Sequence, residues 1–145
     1  MEKKFELTSE TIVINGHVLH RIKALKDFGF ALKGSLGGFV EKESNLSQED
    51  NCWIYDNAMV YGDALVNCNA IIRKEAQVFD NAIITDTAFV NGKAKVYGKA
   101  KISAWAEISE NAQICDNANI GGDALINGEE IINGDTAIIY KINIF

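Results

Sequence analysis

The chain contains no proline among its 145 residues and only two histidines. Proline cannot donate a backbone hydrogen bond, so its absence permits long, uninterrupted ladders of strand pairing. The three cysteines, Cys52, Cys68 and Cys115, are odd in number and widely spaced. This spacing argues against a disulfide framework and against a zinc site, so free thiols are the expected state. We expect no bound metal, and we also expect no cofactor.

Positive charge is also scarce. Fourteen lysine and arginine residues stand against 20 aspartate and glutamate residues, which gives a net charge of -6 at pH 7. Such an acidic chain is not expected to bind nucleic acid in general or anionic membranes. No apolar run approaches the roughly 20 residues of a membrane span, and residues 1–4 lead into polar sequence rather than a signal peptide. We expect a cytoplasmic protein.

What the chain does contain is a six-residue repeat. Valine or isoleucine stands at every sixth position from Ile54 to Ile144, and alanine stands two positions earlier from Ala58 to Ala124. Because alternate side chains of a strand point to opposite faces, each alanine shares a face with the aliphatic residue that follows it. Gly, Asp and Asn between these pairs tolerate the positive φ of corners. The repeat predicts a parallel solenoid, and a six-residue period does not fit an amphipathic helix.

The repeat resembles that of the hexapeptide-repeat superfamily. In this chain Gly or Asp stands two residues after the aliphatic position, rather than directly after it as is usual in the superfamily. This departure, together with the segments 33–41, 45–48 and 53–55, resembles one branch, the YdcK-like transferases and related phage and bacterial proteins. The resemblance implies an all-β fold, a single-stranded left-handed parallel β-helix of about five triangular coils. We expect residues 46–145 to form this β-helix with a C-terminal cap, and residues 1–45 to form a small N-terminal β cap and linker.

The predicted cap contains a hairpin signal. Asn15-Gly16 separates apolar stretches, with short strands expected at 5–8 and 11–14 before it and a strand from residue 17 after it. The glycine-rich residues 33–38 are predicted to link the cap to the first coil. A phosphate-binding loop is the alternative for these glycines, but no Gly-Lys-Ser/Thr pattern or following helix supports it.

The resemblance also implies acyl or nucleotidyl transfer, in which a coil histidine typically acts as general base. This chain has no histidine in its repeat: His17 and His20 both lie in the predicted cap. On a strand, residues three apart face opposite ways and do not easily share a ligand. Both are therefore weak catalytic candidates, and ordinary hydrogen bonding is the simpler interpretation. Corner acids such as Asp80 and Asp116 are likewise interpreted as turn formers.

Outward residues that are 18 positions apart should stack in neighbouring coils. The first ladder is predicted to be an interface, because aromatic residues and arginine are enriched at interface centres; its members are Trp53, Tyr55, Ile71, Arg73, Phe89 and Leu125. A second apolar ladder, for which cross-strand stacking is an alternative explanation, comprises Met59, Tyr61, Phe79 and Tyr97. Four lysines in one coil fit an anionic ligand or, more simply, solvated surface charge; they are Lys93, Lys95, Lys99 and Lys101.

Taken together, these outward residues favour binding over catalysis. The lead hypothesis is a non-catalytic homo-oligomer, a dimer or trimer, whose flat walls or subunit interfaces bind a host protein or a small anionic, nucleotide-like ligand. The resemblance adds a phage-type inhibitor or sequestering protein to this class. Two alternatives stay open: an acyl- or nucleotidyltransferase that uses His17 or His20, and a purely structural assembly module.

Overall fold

The structure, a computed structural model, describes residues 2–140, which are all-β apart from one 3-10 turn at Glu43–Asn45. No helix in these residues could cross a membrane. The strands in chain order are β1 Phe5–Ile14, β2 His17–Ala24, β3 Leu36–Val40, β4 Trp53–Ile54, β5 Met59–Val60, β6 Leu65–Val66, β7 Ile71–Ile72, β8 Gln77–Val78, β9 Ile83–Ile84, β10 Phe89–Val90, β11 Lys95–Val96, β12 Lys101–Ile102, β13 Glu107–Ile108, β14 Gln113–Ile114, β15 Asn119–Gly122, β16 Leu125–Ile126, β17 Ile131–Ile132 and β18 Ala137–Tyr140.

Parallel pairing stacks these strands into three walls. The first, called the hairpin wall because the N-terminal hairpin extends it, contains β3, β5, β8, β11, β14 and β17. The second, called the groove wall after a surface groove described below, contains β4, β7, β10, β13 and β16. The third wall contains β6, β9, β12, β15 and β18. Met59 pairs with Gln77, so neighbouring coils are offset by the expected 18 residues. The predicted parallel solenoid is confirmed.

The solenoid has about six turns rather than about five. β3 pairs in parallel with β5, and Leu46 forms a parallel bridge with Val66. The first coil therefore begins at β3, upstream of the position 46 at which the repeat domain was expected to start. Residues 141–145, which include the last predicted aliphatic position and part of the expected C-terminal cap, lie outside the described residues.

The core is a column of small and branched side chains. Each valine or isoleucine of the repeat from Ile54 to Ile120 is fully buried, and so are the alanines that precede them. These groups fill a narrow interior at close packing density, so the chain tolerates little change of volume there. The column becomes thinner at the last coil, where Ile132 is only partly buried and Glu130 is exposed.

From Ile54 to Ile132, each corner contains a residue with positive φ two positions after the aliphatic residue. Where that residue is acidic, its carboxylate accepts a hydrogen bond from the next coil: Asp80 accepts from the Gly98 amide at 3.0 Å, and Asp116 accepts from the Gly134 amide at 2.8 Å. These acids therefore turn the chain and tie adjacent coils together. Asp80 and Asp116 are separated by the coil of Gly98 and do not form a catalytic pair.

The N-terminal hairpin extends one wall beyond the first coil. Asn15 and Gly16 connect β1 to β2 with φ values of 50° and 83°, which confirms the predicted turn. The two short strands expected before it are one strand, β1, with an irregularity between Leu7 and Thr11. β2 pairs antiparallel with β3, so the hairpin continues the hairpin wall.

Two glycines of the predicted linker lie inside β3. A Cβ atom on Gly37 would lie 2.6 Å from the carbonyl oxygen of Ile54, and one on Gly38 would lie 2.4 Å from the carbonyl oxygen of Ala58. Neither distance is compatible with a side chain, so the close approach of two backbones requires glycine at both positions. This contact, rather than a phosphate, accounts for the glycine-rich segment.

A buried lysine fastens the cap to the first coil. Lys4 is 1% exposed, and its Nζ donates to the carbonyl oxygens of Glu49, Asp50 and Cys52 at 3.1, 3.2 and 2.9 Å. The Phe28 ring centre lies 4.8 Å from the same nitrogen. Burial lowers the pKa of Lys4 and raises the pKa of the Cys52 thiol. One side chain thus donates to three backbone acceptors of the first coil, of which the Glu49 carbonyl oxygen also accepts from Cys52 Sγ at 3.7 Å.

Candidate functional site

The residue that begins the first predicted ladder is buried. Trp53 is 1% exposed, because Phe5 and Phe28 pack edge-on against its ring at centroid distances of 6.2 and 5.1 Å. The expectation that Trp53 lies on an exposed outer wall is therefore wrong. The cap covers it, and Trp53 instead anchors the segment that contains Phe28.

The same segment presents an exposed aromatic side chain. Phe28 and Ala31 exchange two backbone hydrogen bonds, of 3.0 and 2.8 Å, around a tight turn formed by Gly29 and Phe30. Phe30, at the tip, is 90% exposed. Because the turn is hydrogen-bonded and Phe28 is packed on Trp53, little further backbone entropy would be lost if Phe30 contacted a partner.

Phe30 forms one side of a groove on the groove wall. The groove encloses about 360 Å³, and its lining is Phe30, Tyr55, Ile71, Arg73 and Phe89. Four of the six residues predicted for the first ladder thus meet in one concave site. Leu125 is half-exposed and lines a different cavity at the last coil. The repeat did not predict Phe30; the available signal was an aromatic pair flanking a glycine, 28–30, within a polar segment.

One side chain in the groove is charged. The Arg73 guanidinium lies 5.7 Å from the centre of the Tyr55 ring, within the range of a cation–π contact. Burial raises the pKa of the Tyr55 hydroxyl, which stays neutral at physiological pH. No carboxylate within residues 2–140 forms a salt bridge with Arg73. The groove therefore combines an apolar surface with one cation that is available to a partner.

The second ladder is largely used within the chain. The Tyr61, Phe79 and Tyr97 rings stack at 5.0 Å with interplanar angles of 6° and 0°. Tyr61 is buried beneath the cap, with the His17 ring 5.0 Å away, and Met59 packs against the same cluster. These contacts support cross-strand stacking as the role of this ladder.

The two histidines contact different groups. His17 Nδ1 lies 2.9 Å from Glu41 Oε2, while Glu41 Oε1 accepts from the Gly62 amide at 2.8 Å. The hydrogen bond with His17 holds the pKa of Glu41 below its usual range. Because an ionised carboxylate only accepts hydrogen bonds, Nδ1 is the donor in this contact, and in the neutral imidazole the lone pair is then on Nε2. His20 Nδ1 lies 3.1 Å from the Thr8 carbonyl oxygen and has no such carboxylate.

The four lysines share one coil but do not form one patch. Lys95 lies on the hairpin wall and Lys101 on the third wall. Lys93 and Lys99 occupy two different corners, and each shares its surface groove with two carboxylates. This arrangement is typical of solvated surface charge and does not favour one anion bound by all four.

Comparison with known proteins identifies the repeat. The family model for the YdcK beta solenoid repeat matches residues 54–67. A protein of Escherichia coli (strain K12), described as the uncharacterized acetyltransferase YdcK, is 45% identical over 38 residues, which are 26% of this chain. The matched stretch spans only 12% of the length of that relative.

Proposed function

We propose that this β-solenoid, whose repeat matches the YdcK-like family, acts by binding a protein partner at the groove beside Phe30. The observation that carries the proposal is the meeting of Phe30, Ile71 and Phe89 in one concave surface with Arg73 at its side. Contiguous apolar patches are typical of interaction sites. Aromatic residues and arginine are also enriched at the centres of protein interfaces, where a few residues dominate the binding energy.

The chemistry of the groove supports binding rather than catalysis. Its polar side chains are a tyrosine and an arginine, and it has no histidine, cysteine or carboxylate to act as nucleophile or base. Its volume of about 360 Å³ is at the lower end of the roughly 300–1,000 Å³ range of ligand pockets. That size suits a few side chains of a partner protein that lies along the wall.

Charge substitutions in the groove are expected to abolish association. Ile71→Lys and Phe89→Glu each place a charge in the apolar centre, where loss of a hot-spot contact weakens binding by roughly 30-fold or more. Neither side chain belongs to the inner column, so the fold should be retained. The measurements are molar mass by light scattering over a range of concentrations and co-purification of partners from cells that encode the protein.

Ile83→Lys is the matched control. Ile83 is the same residue type at the equivalent position of β9, on the third wall, and is 37% exposed. We expect the unsubstituted protein and Ile83→Lys to form the same complexes, and both groove variants to lose them. If the unsubstituted protein, the control and both groove variants had equal masses and bound the same proteins, the groove would not be the binding site.

The His17–Glu41 pair supports a second candidate function. The relative described as an acetyltransferase suggests acetyl transfer, and His17 Nε2 would accept the proton of an attacking amine or hydroxyl group. If so, His17→Ala lowers kcat/KM for transfer from acetyl-CoA by roughly 10²–10⁴-fold, the usual contribution of a general base. His20→Ala is the control and should keep the activity. Equal turnover by the two variants, or no turnover by the unsubstituted protein with a set of amines and alcohols, would contradict this alternative.

A further inference from the structure

The groove beside Phe30 differs in charge from four other surface cavities of residues 2–140. Each of these four cavities is lined by at least one acidic residue. The first contains Glu130, the second Glu43, the third Asp116 and Asp135, and the fourth Asp56 and Glu75. The groove beside Phe30 is lined by no carboxylate and by one guanidinium, that of Arg73. In a chain with a net charge of -6, this groove is a local site of positive charge.

Arg73 is placed to use that charge on a ligand. Its side chain is exposed and forms no salt bridge within the described part of the chain. The Tyr55 ring beside it favours a limited set of guanidinium positions. A guanidinium is planar and can donate two parallel hydrogen bonds to one carboxylate. The complement of the groove is thus an apolar group next to a carboxylate.

We propose that the groove receives an acidic–apolar peptide segment of a partner protein, in which a glutamate or aspartate adjoins an aromatic or branched aliphatic residue. The apolar side chain contacts Phe30, Ile71 and Phe89, and the carboxylate pairs with Arg73. This inference rests on the proposed function and names the chemistry of the partner. The net negative charge of the chain does not prevent the contact, because salt screens exposed charges beyond about 8 Å at physiological ionic strength.

Two blocked pentapeptides test the inference. N-acetyl-Gly-Glu-Phe-Leu-Gly-amide and its counterpart with Gln in place of Glu are titrated into the ¹⁵N-labelled 145-residue protein, and amide chemical shifts are followed by NMR. We expect the shifts to lie at the groove, at Ile71, Arg73 and Phe89. The Kd of the Glu peptide should be about fivefold lower than that of the Gln peptide, as for a favourable exposed ion pair, and high salt should reduce the difference.

Two variants decide whether Arg73 recognises the carboxylate. Arg73→Gln should bind both peptides equally. Lys101→Gln removes one positive charge from the third wall and should keep the full preference for Glu. Equal affinity of the unsubstituted protein for the two peptides, binding of neither, shifts confined to another wall, or loss of the preference in Lys101→Gln would each overturn the inference. The proposed function would then be tested separately, by comparing the complexes that the Ile71→Lys and Ile83→Lys variants form.

Discussion

Replacing Lys4 with methionine is expected to lower the free energy of unfolding by roughly 3 kcal/mol, because it removes the charged donor that three carbonyl oxygens near the first corner share. Methionine keeps most of the apolar volume beside Phe28, so the loss reports the polar contacts of Nζ, which are its hydrogen bonds and its cation–π contact with the Phe28 ring. For a chain of this length the midpoint of thermal unfolding should fall by roughly 10 °C. Urea and thermal unfolding followed by circular dichroism measure both quantities.

The neighbouring lysine is the control for this prediction. Lys3 is exposed, and its Nζ makes a surface ion pair with Glu43 at 2.8 Å. Lys3→Met should therefore change the free energy of unfolding by less than about 1 kcal/mol. Equal stability of Lys3→Met and Lys4→Met would show that the buried lysine does not fasten the cap.

Gly38→Ala is expected to be about as damaging as Lys4→Met. The added Cβ would lie 2.4 Å from the Ala58 carbonyl oxygen and 2.5 Å from Ile54 Cγ2. Because the first of these is backbone held in a strand ladder, it cannot turn aside as a flexible side chain would. Overpacking of this kind costs up to about 3 kcal/mol. Thermal unfolding measures the loss, and amide hydrogen exchange should place it at β3 and β5.

Gly121→Ala is the matched control for Gly38→Ala. Its added Cβ would lie 3.1 Å from the side-chain oxygen of Ser103, and Gly121 does not have positive φ. A small rotation of the serine relieves that contact, so the expected loss is below about 1 kcal/mol. If both glycine variants were equally stable, the close approach of β3 to the first coil would not be the reason for glycine at position 38.

The solenoid could be predicted because its rule is local and repeats. The phase of small and aliphatic residues determines which side chains face inward and which coils stack, as the pairing of Met59 with Gln77 confirms. The first coil was missed although Gly38 and Val40 keep the same small–aliphatic spacing. Eight residues rather than six separate Leu46 from Ile54, and this two-residue insertion interrupts the period.

The candidate site was predictable except for Phe30 and the burial of Trp53, and the reason is the same. Ile71 and Phe89 lie in the repeat, so their 18-residue spacing predicts that they are neighbours on one wall. The burial of Trp53 depends on Phe5 and Phe28, which lie outside the repeat, and no period relates them to it. Phe30 enters the site through that same non-repeating segment. Contacts between the cap and the coils therefore had to come from the three-dimensional structure.

The central claim is that a partner binds at the groove beside Phe30, and site-specific photocrosslinking in living cells tests it most directly. A benzoylphenylalanine replaces Phe30 in one protein and, as the control, Leu65 on the third wall in another. Position 30 retains an aromatic group at the tip of the turn, so binding should survive the change. The account predicts a discrete crosslinked product from position 30 and none from position 65. Crosslinks from position 65 alone, or from neither position, would contradict it.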